Sequence, residues 1–156
     1  MTDFIEKQIE LKAPLSRVWR ALTDYREFGT WFRVELDSPF IVGKVTTGRN
    51  KYPGYEHIRI EITAQRIEPE TLFAYTWHPY AVEPDVDYGK ETPTLVEFRL
   101  VPGVGSTLLR VRESGFDAIP EHRRAEAFRM HESGWAGQLA NIENYVTGHS
   151  ETALGA

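Results

Sequence analysis

The sequence predicts an α+β fold: an antiparallel β-sheet wrapped around a long C-terminal α-helix, with two short helices between the first and second strands. Three observations point there. Apolar residues alternate with period two through most of the chain's middle, the flanking segments carry helical spacing, and the strands follow one another without intervening helices.

The elements follow in order. Ile5, Ile9 and Leu11 alternate with Glu6, Gln8 and Glu10, which reads as a half-buried strand whose apolar face Lys7 interrupts. "APLSRVWRALTD" comes next. Pro14 suits a first helical position, and Leu15, Val18, Trp19 and Leu22 recur at helical spacing. "YREFGTWF" is expected to add a further turn or two of helix at an edge. From Arg33 the pattern changes to period two, in "RVELD", "GKVTTGR", "HIRIEITAQRI", "LFAYTWHP", "TLVEFRLVP" and "STLLRVRES". Gly, Pro and Asn-Lys turns punctuate these runs, as an antiparallel meander requires. Pro102, Gly103 and Gly105 mark the clearest hairpin. The residues "DAIPEHRRAEAF" open the last helix, with Pro120 near its start and Glu121 where the helix dipole favours negative charge. Phe128, His131, Trp135, Leu139, Ile142 and Val146 form one stripe on it, so it is the natural cover for the sheet's apolar face. Residues 1–147 are expected to form one domain, with 148–156 as a small polar tail.

Composition narrows the function classes. A formal net charge of -5 disfavours a phosphate-backbone partner, so nucleic acid is not expected. No apolar run approaches the roughly 20 residues that span a bilayer, and the first residues lack a signal-peptide pattern, so a cytoplasmic protein is expected. With no cysteine, disulfides, thiolate metal sites and a cysteine nucleophile are excluded. "HESGW" begins like a zinc H-E-x-x-H motif, but Trp135 stands at the second histidine position. His57, His78, His122 and His149 show no ligand spacing. The acidic residues Glu83, Asp85 and Asp87 lack the glycine and closing glutamate of a calcium loop. Gly103-Val104-Gly105 is followed by a strand and is no phosphate loop, and there is no G-x-S-x-G elbow. No metal and no cofactor are therefore expected.

Several strings in this order resemble one family: "APLSRVWRALTD" with "TWF" after it, "LFAYTW", "TLVEFRLVPGVGSTLLRVRESGF" and "HESGWAGQLANIENYV". The chain resembles the Hsp90-ATPase-activator-homologue-like branch of the START/Bet v1 superfamily of helix-grip proteins, also called SRPBCC. The resemblance covers nearly the whole chain. It implies a sheet gripping the long helix with a hydrophobic cavity between them. It also implies binding of a small hydrophobic or aromatic molecule, a cyclase- or hydrolase-type activity, or a co-chaperone role in stress response with a chaperone as partner. Fold analogy alone chooses none of these.

The residues add candidates of their own. If Leu109 and Val111 face the helix, alternation sends Glu113 inward too, where His131 can meet it as an acid/base pair or as a structural contact. Phe73, Tyr75 and Trp77 on one strand, with Phe98 on the next, read equally as pocket walls or as plain core. The Tyr75 hydroxyl and Trp77 indole would be the polar handles of a pocket. Trp31 and Phe32 are expected to close one end, and Trp135 and Leu139 to line the helix side. Gly134 and Gly137 each cost a helix about 0.5–1 kcal/mol relative to alanine. The expectation is that they let the helix backbone approach the sheet closely. The connection "PYAVEPDVDYGKETP" reads as a solvated turn or as a lid.

Overall fold

A computed structural model describes residues 4–78 and 92–148. The acidic connection with Glu83, Asp85 and Asp87, as well as the tail from 149 on, lies outside the described residues. The chain runs β1 (Phe4–Leu11), α1 (Leu15–Thr23), α2 (Tyr25–Phe32), β2 (Val34–Leu36), β3 (Val45–Asn50), β4 (Arg59–Glu68), β5 (Leu72–Trp77), β6 (Thr94–Pro102), β7 (Thr107–Ser114) and α3 (Glu121–Thr147). The seven strands make one antiparallel sheet in the order β1-β7-β6-β5-β4-β3-β2. This is the predicted α+β helix-grip arrangement: a meander from β2 to β7, with β1 returning to the free edge of β7.

Both expected prolines stand one residue outside their helices. Pro14 precedes α1, and Pro120 precedes α3 after a single 3-10 turn at Phe116–Ala118. Gly115, at φ 99°, supplies the left-handed turn that ends β7 and delivers Phe116 to the core. Asp24 caps α2, its Oδ1 accepting from the backbone N–H groups of Arg26 and Glu27 at 2.9 and 3.2 Å.

α2 goes deeper than an edge. Phe28, Gly29, Trp31 and Phe32 are all buried, and the Phe28 ring lies 6.2 Å from that of Tyr75. A Cβ at Gly29 would sit 2.6 Å from the Val34 carbonyl oxygen, so the close backbone approach that demands glycine is here, at the turn from α2 into β2.

Gly134 and Gly137 are a correction to the sequence reading. Both are exposed on α3, and a Cβ at either would meet nothing within 4 Å. Trp135 and Leu139 set the face that meets the sheet, and the glycines lie off that stripe toward solvent. Nothing in the structure explains the choice of glycine there.

In β4 the register shifts between Ala64 and Arg66. That bulge changes the inward parity from Ile62 and Ala64 to Ile67, and a bulge of this kind bends its strand. Among the described residues no helix is long and apolar enough to cross a membrane.

Candidate functional site

Strand parity puts a carboxylate where an apolar side chain would ordinarily go. On β7, Thr107, Leu109, Val111 and Glu113 point inward and all are buried, with Glu113 at 0% exposure. The register then lines up Ile5, Glu113, Val96, Tyr75 and Ala64 in one row across five strands. Trp77 and Thr94 form the next pair along β5 and β6. α3 crosses above with His131 and Trp135 one turn apart.

Four donors converge on Glu113. Its Oε2 accepts from the Trp77 indole N–H at 2.8 Å and from the Thr94 hydroxyl at 2.5 Å. Its Oε1 accepts from the Trp135 indole N–H at 2.8 Å and meets His131 Nδ1 at 2.6 Å. Against an ionised carboxylate Nδ1 must carry the proton, so the contact fixes the imidazole's orientation. Burial pushes the Glu113 carboxyl up. The positive charge of His131 and the hydrogen bonds from His131, Thr94 and Trp77 more than offset that, and its pKa lies below the ordinary 4.5. The carboxylate is thus held charged inside the core, with two donors on each oxygen. Two of the donors are indoles and one is a hydroxyl, and none of these three carries a formal charge.

Around this group lies a continuous set of rings. Trp77 is 5.5 Å from His131 and 5.9 Å from Trp135, and Phe32 is 5.7 Å from Trp77 and 6.0 Å from Trp135. Phe98 packs edge-on to Trp135 at 5.6 Å. The His131 side chain is 15% exposed, so this end of the interface reaches solvent.

Tyr75 differs from every polar neighbour. It is fully buried, and its hydroxyl has no hydrogen-bond partner among the described residues. Its ring touches Phe28, Phe73, Trp77 and Phe98 at 5.3 to 6.2 Å, none of them charged. Burial, reinforced by the negative charge of Glu113, raises its pKa well above 10.0, and the group is a neutral O–H donor.

The structure therefore brings together Glu113, His131, Trp135, Trp77, Tyr75, Phe73 and Phe98. Leu139 continues the buried stripe one turn along α3. Trp31 stands apart: its indole N–H donates to the Ala21 carbonyl at 2.8 Å, pinning α2 on α1, and Phe32 is the α2 residue that reaches the site. Sequence reasoning missed Thr94, although parity with Val96 and Phe98 places it on the inner face. His57 and His122 are exposed, and among the described residues no group of three or more His, Asp or Glu could hold a metal.

Solved structures share this architecture. The chain is 24% identical to protein MLL2253 from Mesorhizobium loti, covering 94% of this chain and 98% of that one at a TM-score of 0.73. A protein from Arthrobacter aurescens is 17% identical over 95% of this chain and 88% of its own, at 0.79. CalU16 from Micromonospora echinospora is 21% identical over 92% and 75%, at 0.63. DynU16, from the dynemicin biosynthetic locus, is 21% identical at a TM-score of 0.70, and the chain covers 48% of its length. At these identities the likeness is one of fold. No curated protein matches the chain. The family model described as "Activator of Hsp90 ATPase homolog 1-like protein" matches residues 12–147, every element from α1 to the end of α3, and the chain belongs to that family.

Proposed function

We propose that the chain binds a small apolar or aromatic molecule between the sheet and α3, at the end where Trp77, Trp135 and His131 meet. One observation carries this reading: the rings of Phe32, Trp77 and Trp135 gather around a buried carboxylate at the end of the sheet–α3 interface that reaches solvent at His131. Aromatic walls with a few convergent polar groups are the usual lining of a small-molecule site. The entry side is the Trp77–His131 end, where the interface reaches solvent. Native mass spectrometry of the protein purified from its own cells, followed by a denaturing run, tests it. A reproducible apolar passenger is expected. A protein that is empty, and that no aromatic probe stabilises against heat, overturns the reading.

The 2.6 Å contact between Glu113 and His131 favours a second reading, acid/base catalysis of cyclase or hydrolase type on the bound molecule. With its four acceptor positions filled, Glu113 would act by orienting His131, and His131 would move the proton. His131→Gln should spare affinity in a carrier and abolish turnover in an enzyme. A chaperone partner rests on the family's description alone, and a pull-down with the chaperone is its test.

A further inference from the structure

We infer that two copies of the chain pair face to face through the outer surface of β2, β3 and β4, related by a two-fold axis that crosses the strands at the level of Gly48 and Ile60. This surface is separate from the Glu113 group, so the inference is independent of the ligand-binding reading.

Strand parity builds the surface. Gly48 and Ile62 are buried on the side that faces the helices, so their neighbours Thr47, Arg49 and Glu61 point the other way. The register sorts the outward side chains into two rows of different charge. Glu35, Arg49 and Arg59 stand side by side in one row. Two residues further along stand Asp37, Thr47 and Glu61, with the Thr47 hydroxyl donating to Asp37 Oδ2 at 2.8 Å.

Taken alone, one copy leaves these charges poorly matched. Arg49 and Arg59 lie directly opposite each other, a like-charge pair that costs a sheet stability. Glu35 meets Arg49 at 3.0 Å, whereas Arg59 and Glu61 are exposed and have no ion pair among the described residues. A two-fold axis lying between two stacked sheets and running across the strands turns each strand end for end over its own copy. Centred between the rows, it lays Arg59 of each copy over Glu61 of the other, and Arg49 over Thr47 beside Asp37. The charges left over in one copy are complementary in two.

The exposed apolar surface follows the same symmetry. Among the described residues eight large apolar or tyrosine side chains are exposed, and five of them lie at the two ends of this face. Ile41, Val42 and Val45 stand at the start of β3, where the Gly43 N–H donates to the Ala64 carbonyl at 2.9 Å. Tyr52 and Tyr55 stand on the turn after β3. End-for-end stacking carries the tyrosine turn of each copy over residues 41–45 of the other, so both ends gain apolar cover. A face three strands wide is small, which makes the pairing reversible and dependent on concentration.

Sedimentation velocity over micromolar to millimolar protein tests this on the parent, Arg59→Glu, Glu61→Arg and the two substitutions combined. Both positions are exposed, so the variants should match the parent in circular dichroism. The parent should shift from monomer to dimer as concentration rises. Each single substitution sets like charges together at both contacts and should weaken association at least about tenfold. The double variant exchanges the two signs and should recover it. Mixing the two single variants is the decisive case, because opposite charges then meet at both contacts. The mixture should form a heterodimer about as tight as the parent dimer, although neither component pairs with itself. Val45→Lys, which brings a lysine toward Lys51 of the other copy, should weaken pairing without touching the arginine contacts. A parent that stays monomeric at every concentration overturns the inference. So does a dimer that none of these substitutions weakens, or a mixture of the single variants that stays monomeric.

Discussion

Glu113 and Glu27 are both carboxylates held by several donors, yet their surroundings differ in kind. Glu27 joins three helices: Arg17 of α1 reaches its Oε1 at 2.6 Å, Arg20 its Oε2 at 2.8 Å, and the Tyr145 hydroxyl of α3 donates to Oε1 at 3.1 Å. The Arg17 guanidinium also lies 4.9 Å from the centre of the Tyr145 ring. Solvent enters this corner, where Arg20 is 60% exposed. Glu113 has no solvent, and three of its four donors are neutral. Formal charges at a wet corner make a strap between helices. Neutral dipoles around a dry anion do something else: they keep a negative charge in the core and fix an imidazole against it. Buried ion pairs are a poor way to stabilise a fold, so the Glu113 group is better understood as a device for its surroundings than as a rivet.

The largest expected effect breaks the dry side of this comparison. Glu113→Gln turns one acceptor oxygen into a donor facing Trp77 and Thr94 or His131 and Trp135, and should cost about 3–5 kcal/mol in urea unfolding. The same measurement against pH carries a sign. Because folding lowers the Glu113 pKa from 4.5, its contribution is present above that pH and is lost as pH falls through the folded value. The variant should lack that acid limb, and an unchanged limb would assign acid sensitivity elsewhere.

Glu27→Gln, on the wet side, should cost about 1 kcal/mol, with the difference shrinking as salt is added. The Glu113→Gln loss should be nearly salt-independent. If both losses respond to salt alike, the contrast between the two carboxylates is not one of solvation.

The smallest effect has the opposite sign. Gly134→Ala should raise stability by about 0.5–1 kcal/mol, because the added Cβ meets open space, and probe affinity should not change. Loss of affinity in that variant would give the glycine a part in the site that its position does not suggest.

The fold could be read from the sequence because it follows from periodicity, which composition alone does not blur. Alternation along "STLLRVRES" sent Glu113 inward, and the α3 stripe placed His131 and Trp135 opposite it. Parity, however, assigns a face and not an atom. It could not say that Thr94 donates to Glu113, or that the Glu113 oxygens are full while the Tyr75 hydroxyl is bare. Those depend on rotamers and on which strand lies beside which. Trp31 shows the same limit: an indole beside an aromatic pocket in sequence is tied to Ala21 in space. For Gly134 and Gly137 the cost was visible in the sequence but the cause was not, since an exposed glycine and a tightly packed one look alike in one dimension.

The order β1-β7 at the sheet's edge also bears on how the molecule assembles. Residue 113 finds its partners 18 to 36 positions away along the chain, at Trp77, Thr94, Trp135 and His131. β1, by contrast, reaches β7 across a closure of about a hundred residues, as in the pairing of Gln8 with Arg110. Short closures cost less entropy and are reached sooner. The polar knot can therefore be tied by β5, β6, β7 and α3 alone, while the N-terminal strand is still searching. On that reasoning the Glu113 group is the early-forming part of this protein, and β1 seals it afterwards.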